Sequence, residues 1–157
     1  MFSESELLNS LAKYCSQAER CVFDIQKKLK TESLSKEAEQ QIIERLQREK
    51  YIDERRFSRC FVHDKFQFNH WGRVKIAYEL KMRGVSPEIY YEALETIDED
   101  KYNAVLIDLL TNKIRTIKGR SPQDVYQKLY RFATARGFES PLISNILLKK
   151  FKNWNDD

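Results

Sequence analysis

The hexapeptide Leu80-Lys81-Met82-Arg83-Gly84-Val85 has a second copy later in the chain, Ala133-Thr134-Ala135-Arg136-Gly137-Phe138. The two glycines are 53 residues apart. Glycine suits the position just after a helix, because the backbone there is left-handed and a Cβ atom would clash. Each copy therefore predicts a helix that ends at the glycine, then an apolar residue, then another helix.

A third, more divergent copy lies near the N-terminus. Ser33 is 51 residues before Gly84, and Leu29 and Leu34 take the two apolar positions of the motif. In all three copies an apolar residue precedes the motif by four positions, namely Ile25, Ile76 and Leu129. A repeat at this interval indicates modules that stack and bury each other's faces.

The composition favours helices throughout. The chain has 157 residues, of which 41% are hydrophobic, and only 4 are Gly and 3 are Pro. No stretch alternates in the manner of a β-strand. We predict an all-α fold of about nine helices, arranged as three tandem three-helix repeats at residues 1–52, 53–97 and 98–157 in one continuous, elongated stack.

The middle repeat is expected to be covered on two sides. Around residues 54–68 the apolar positions form one stripe of Phe57, Cys60, Phe61 and Phe68, with Val62 and Phe66 opposite. The helix at residues 73–83 likewise has Ile76 and Leu80 on one side, with Val74 and Tyr78 on another. The sequence allows two starts for the second helix, one at a capping box formed by Ser16 and the other near Cys21.

Positive charge is concentrated near the C-terminus. The net charge is +4 overall, but residues 111–152 carry 10 basic side chains against only Asp124 and Glu139. This asymmetry indicates an anionic partner, either nucleic acid or an acidic protein surface. A solvated face that only keeps the protein soluble explains the charges equally well.

No motif for catalysis or for a cofactor is found. Phosphate loops, dinucleotide fingerprints and nucleophile motifs are absent, so we expect neither an enzyme nor a cofactor. His63 and His70 lack metal-ligand spacing, and no metal site is expected. The three cysteines indicate reduced thiols in small apolar slots of a cytoplasmic protein. No apolar stretch is long enough to span a membrane, and we expect a monomer.

Nine cationic side chains are the candidates for contact with a partner: Arg73, Lys75, Lys81, Arg83, Arg115, Lys118, Arg120, Lys128 and Arg131. Helix phase places Arg115 and Lys118 on the outer face of one helix, and Lys128 and Arg131 on that of the next. Lys75 and Arg83 have an alternative role. Glu79 lies four residues from each of them, so the two cations can form ion pairs with Glu79 that stabilise their own helix.

Two blocks of this sequence resemble those of the RecX family, bacterial regulators of the RecA recombinase. Tyr51-Ile52-Asp53-Glu54-Arg55-Arg56-Phe57 is similar to the family's Tyr-Leu/Ile-Asn/Asp-Asp-x-Arg-Phe block. The stretch Gly-Arg-Val-Lys-Ile-Ala-Tyr-Glu-Leu-Lys-Met-Arg-Gly-Val at residues 72–85 is similar to its Gly-Pro-x-Arg/Lys-Ile-x-x-Glu-Leu-x-x-Lys-Gly-Ile/Val block. This chain departs from the pattern at Arg73, where proline is usual, at Cys21, where serine is common, and at Arg83, where lysine is common.

The resemblance implies a compact all-helical protein that binds RecA, as a monomer or in its filament on DNA. It also implies that the protein restrains ATP hydrolysis, strand exchange and coprotease stimulation by RecA, and so affects DNA repair and the SOS response. The charge pattern leaves a second function open, that of an autonomous nucleic-acid-binding module acting through phosphate contacts.

Overall fold

The computed structural model describes the backbone of residues 3–155 and the side chains of residues 3–152. Within that range the chain forms nine α-helices and no β-strand, which confirms the all-helical prediction. The helices are α1 Glu4–Gln17, α2 Val22–Leu29, α3 Lys36–Arg48, α4 Glu54–Gln67, α5 Arg73–Met82, α6 Pro87–Leu94, α7 Glu99–Ile114, α8 Pro122–Ala135 and α9 Ser140–Asn155.

Short polar side chains fix where the helices begin. The hydroxyl of Ser35 accepts from the N–H of Ala38 at 3.1 Å, and a carboxylate oxygen of Asp53 accepts from the N–H of Arg55 at 3.0 Å. Such caps satisfy N–H groups that have no partner inside the helix. The second helix begins after Cys21, the alternative that the repeat interval favours.

The three positions that the repeat aligns share one backbone conformation. Ser33, Gly84 and Gly137 have φ angles of 54°, 77° and 95°. All three are left-handed, as the motif predicts for its glycines. The left-handed serine supports the alignment of the divergent first copy with the other two.

The described chain divides into two compact units. The first holds the residues up to Phe61 together with Leu80–Ala93, and the second holds Val62–Glu79 together with the residues from Leu94 onward. Helices α4, α5 and α6 therefore each contribute residues to both units. The repeat boundaries at residues 52/53 and 97/98, and the continuous stack, stay predictions.

Each unit has its own buried apolar residues. In the first unit α1, α2 and α3 pack together around a core of Leu7, Leu11, Ile25, Leu29, Ile42, Ile43, Leu46 and Ile52. In the second unit α8 packs against α7 and α9. There the ring of Tyr102 lies 5.7 Å from that of Phe66 and 5.2 Å from that of Phe138, measured between centroids.

The prediction that the middle repeat is covered on two sides holds in part for α4 and is wrong for α5. On α4 Phe57 of the first predicted stripe and Val62 and Phe66 of the second are buried, whereas Cys60 on the helix and Phe68 just after it are exposed. On α5 Val74 and Tyr78 are 56% and 59% exposed, while Ile76 and Leu80 are buried. Helix phase located these faces, but it could not reveal whether a neighbour covers the second face.

No helix within the described part of the chain is both long enough and apolar enough to cross a membrane.

Candidate partner-binding surface

The start of α5 is hydrogen-bonded to the turn between α8 and α9. The backbone nitrogens of Gly72 and Val74 donate to the carbonyl oxygens of Arg136 and Gly137, at 2.8 and 2.9 Å. A Cβ atom on Gly72 would lie 2.5 Å from the backbone nitrogen of Phe138, closer than real Cβ atoms come. Glycine at position 72 is therefore needed for this approach.

Arg73 lies in a network of side chains inside the second unit. Its backbone nitrogen donates to the Tyr102 hydroxyl at 3.0 Å, and its guanidinium forms ion pairs with Glu139, at 2.9 Å, and with Glu99. The Tyr102 hydroxyl in turn donates to Glu139. Burial opposes the guanidinium charge, but the hydrogen bond and charge of Glu139 outweigh it and raise the pKa of Arg73.

This network gives Arg73 a structural role. Its side chain is only 22% exposed, and the guanidinium also lies 3.9 Å from the centre of the Tyr102 ring. Burial, and then the hydrogen bond to Glu139, raise the pKa of Tyr102, so its hydroxyl stays protonated and can donate. The prediction that Arg73 contacts a partner stays a prediction.

The other cations of the motif block lie on aromatic rings or in solvent. The ammonium of Lys75 is 4.4 Å from the ring centre of Trp71, and the guanidinium of Arg83 is 4.8 Å from that of Phe61. Lys81 is exposed. Of these, Lys75 belongs to the second unit, and Lys81 and Arg83 belong to the first.

The remaining five predicted residues, here called the α7–α8 cations, are all exposed in the second unit: Arg115, Lys118, Arg120, Lys128 and Arg131. Three contacts bring Lys118, Arg120 and Lys128 together. The Lys128 ammonium donates to the Lys118 carbonyl at 2.7 Å and lies 3.3 Å from a carboxylate oxygen of Asp124. The N–H of Arg120 donates to that same oxygen at 3.0 Å.

Asp124 is thus the centre of a local cluster. The Arg120 N–H, then the Lys128 ammonium, and to a smaller degree the Arg131 charge, lower the pKa of Asp124. Helix phase alone could not identify this cluster, because the cluster depends on the loop that brings residues 118–120 back toward α8. No described contact of the Arg115 side chain joins it to this cluster.

Both carboxylates of residues 111–152 are therefore engaged inside the protein. Asp124 pairs with Lys128, and Glu139 pairs with Arg73. Neither is available to neutralise the Arg115, Arg120 and Arg131 side chains, which make no ion pair within the described residues. These three side chains are therefore not neutralised by either acid of that range, and unpaired cations of this kind suit an anionic partner.

Two adjoining cavities on α8 were not anticipated from the sequence. They share Tyr126 and Gln127, and they have volumes of about 350 and 330 Å³. The first is completed by Pro122, Gln123 and Phe151, and the second by Tyr130 and Arg131. The spacing of Tyr126 and Tyr130, four residues apart on one helix, was the available signal.

No group of three or more His, Cys, Asp or Glu side chains within the described residues is placed to hold a metal ion. His63 and His70 are exposed.

Comparison with known proteins identifies the class to which this chain belongs. Residues 53–94 match "RecX, second three-helix domain", and residues 99–147 match "RecX, third three-helix domain". The protein described as "Regulatory protein RecX" from Chlorobium phaeobacteroides is 33% identical over 128 residues, which cover 80% of this chain and 81% of that protein. The protein of the same description from Clostridium beijerinckii is 27% identical over 129 residues, which cover 80% of this chain and 59% of that one.

A solved structure agrees on the fold. The crystal structure of a regulatory protein RecX superposes with a TM-score of 0.83 at 21% identity, covering 91% of this chain and 72% of that chain. The chain belongs to the RecX family, as its motif blocks predicted. It spans a little over half of the length of the clostridial and lactobacillar relatives that it matches.

Proposed function

We propose that this protein binds RecA, as a monomer or in its filament on DNA, and restrains the recombinase, ATPase and coprotease activities of RecA. In the cytoplasm this would tune DNA repair and the SOS response. The observation that carries the proposal is the pair of adjacent RecX three-helix domains at residues 53–94 and 99–147. Relatives that share these domains are named as regulatory proteins.

The α7–α8 cations are the proposed contact surface. Asp124 pairs with Lys128 and Glu139 with Arg73, which leaves Arg115, Arg120 and Arg131 without an ion pair in the described residues. A filament of RecA on DNA offers phosphates as well as protein carboxylates to such cations. Lys75, Lys81 and Arg83 are further candidates. Charge of this kind increases the rate at which an anionic partner is encountered, and its effect falls with ionic strength.

The test is a titration of RecA's DNA-dependent ATPase with this protein. We expect hydrolysis to fall as the protein is added, and to fall less when Arg115 and Arg131 are both replaced by glutamine. A variant with Glu37 and Glu44 replaced by glutamine is the control, because both residues are exposed in the first unit. A constant ATPase rate at every protein concentration would exclude regulation of RecA.

The second candidate function is that of an autonomous nucleic-acid-binding module. It is favoured by the same uncompensated charge, which suits phosphates without any protein partner. The two functions are distinguished by adding excess DNA to the ATPase assay. If the protein only masks DNA, the excess restores hydrolysis, whereas inhibition through RecA persists.

A further inference from the structure

The two cavities on α8 form a groove with the chemistry of a stacking site. The groove runs along Tyr126, Gln127 and Tyr130, with Phe151 at one end and Arg131 at the other. Both depressions are open to solvent, with volumes of about 350 and 330 Å³, so an extended ligand can lie along them. We call this the α8 groove.

The aromatic rings of the α8 groove are partly open to solvent. Tyr126 and Tyr130 are both half-buried, so part of each side chain is accessible to a ligand. Tyr126 is held by the ring of Phe151, whose centre is 5.5 Å away at an interplanar angle of 69°. A ring fixed in this way loses little conformational freedom when a flat ligand stacks on it.

The polar lining of the α8 groove is uncharged or cationic. Gln123 and Gln127 offer amide donors and acceptors, and Arg131 offers a guanidinium. The nearest acid on the helix, Asp124, is paired with Lys128 at 3.3 Å. The groove therefore combines aromatic faces, amides that can pair with base edges, and positive charge for phosphates.

We propose that the α8 groove binds single-stranded nucleic acid, with bases stacked on Tyr126 and Tyr130 and phosphates near Arg131. The inference rests on the second function proposed above and specifies its ligand. Single strands expose the faces of their bases, and proteins that bind them pair a cationic track with aromatic side chains. A duplex keeps its bases stacked inside, so only its phosphates can contact the protein, through the cationic side chains.

The test compares three oligonucleotides of equal length, about 16 nucleotides, by fluorescence anisotropy. They are an oligothymidine, an abasic deoxyribose-phosphate chain, and a duplex. The abasic chain keeps the phosphates and removes the bases. We expect the protein to bind oligothymidine at least about tenfold more tightly than the abasic chain.

The tyrosines are then replaced. Tyr126→Leu combined with Tyr130→Leu should remove most of the preference for oligothymidine and change abasic binding less than about twofold. Tyr78→Leu is the matched control, because Tyr78 is 59% exposed in the same unit and lies outside the groove. If the double variant does not fold, Gln127→Glu tests the same site, since Gln127 is exposed and borders both cavities. A carboxylate there should weaken binding of oligothymidine about fivefold.

Three outcomes would overturn the proposal, and they have different meanings. Equal affinity for oligothymidine and the abasic chain would leave phosphate binding intact and exclude stacking. Absence of binding to all three oligonucleotides at low salt would also remove the second proposed function. Loss of the effect on RecA in the tyrosine variant, with oligothymidine binding unchanged, would assign the groove to a protein segment.

Discussion

The backbone nitrogen of Val74 donates to the carbonyl oxygen of Gly137 at 2.9 Å, and this approach leaves no room for a side chain on Gly137. A Cβ atom there would lie 2.6 Å from the backbone nitrogen of Lys75. At Gly84, the corresponding position of the preceding repeat, no atom beyond the adjacent residues lies within 4 Å of an added Cβ. The two repeats therefore use the same left-handed turn under different steric conditions.

Alanine substitutions at these two glycines should separate backbone strain from crowding. Gly84→Ala brings only the cost of a left-handed non-glycine residue, roughly 1–2 kcal/mol. Gly137→Ala adds overpacking against backbone atoms, for a total of roughly 2–5 kcal/mol. Urea unfolding followed by circular dichroism measures both. Equal losses would show that the turn at Gly137 moves freely to accept a side chain.

The network around Arg73 should behave as one cooperative unit. Tyr102→Phe removes the hydroxyl that bridges the Arg73 N–H and Glu139, and we expect a loss of about 1–3 kcal/mol. Arg73→Gln should cost a similar amount, and a double-mutant cycle should give a coupling of about 0.5–3 kcal/mol. Tyr78→Phe, at an exposed tyrosine, should change stability by less than about 0.5 kcal/mol. Strict additivity of the first two substitutions would contradict the network.

The three thiols should react in the order of their exposure. Cys60 is exposed, Cys15 is half-buried and Cys21 is fully buried, so the prediction that all three fill apolar slots is wrong for Cys60. Alkylation with iodoacetamide, followed by peptide mass spectrometry, should modify Cys60 first and Cys21 last. Cys60→Ser should abolish the fast phase. Labelling of Cys21 as fast as that of Cys60 would mean that the start of α2 opens readily.

The buried thiol of Cys21 also predicts a stability change at alkaline pH. Burial raises the pKa of Cys21 from 9.0 to about 12. Between pH 9.0 and about 12 the thiol ionises in the unfolded chain but stays protonated in the folded protein. The contribution of Cys21 to the free energy of unfolding is therefore fully present below pH 9.0 and is lost as the pH rises toward about 12. By about pH 10 the loss should be roughly 1 kcal/mol relative to Cys21→Ala, measured by denaturant unfolding. Parallel pH profiles of the two proteins would refute this assignment.

Neutralising exposed cations should reduce the salt dependence of nucleic-acid binding. Lys128 is a poor choice for reversal, because a glutamate there would face Asp124 and the carbonyl of Lys118. Arg115→Gln with Arg131→Gln avoids this and should lower the log–log salt slope by about one unit for each cation that neutralises a phosphate in the parent protein. Helicity should stay unchanged. An unaltered slope would make these charges a solvated face only.

Much of the fold could be predicted from local pattern. The repeat interval located Gly84 and Gly137 and aligned Ser33 with them, because a left-handed turn needs a small residue whatever surrounds it. Whether a second face of a helix is buried depends on packing against residues that are distant in the sequence. The apolar spacing of Val74 and Tyr78 is the same whether a neighbour buries them or solvent reaches them, and the structure leaves both exposed.

The candidate site was only partly predictable for a similar reason. Helix phase correctly placed Lys128 and Arg131 on an exposed face of α8. It was wrong for Arg115 and Lys118, because α7 ends at Ile114 and these two exposed residues lie in the segment after it. It could not detect that Arg73 would find two carboxylates 26 and 66 residues away, since no local pattern links residues so distant. The α8 groove was missed because its lining combines one helix with Phe151 from the next.

The contacts at the start of α5 also determine when this helix can acquire its hydrogen-bond partners during synthesis. The N–H groups of Gly72, Arg73 and Val74 donate to acceptors at residues 136, 102 and 137. A ribosome releases the N-terminal part of a chain first. The motif helix of the second repeat therefore emerges well before its acceptors, and its first turn can be fixed only after Gly137 has left the ribosome. A gene product truncated before that point would retain the helix sequence but lack the groups that anchor it.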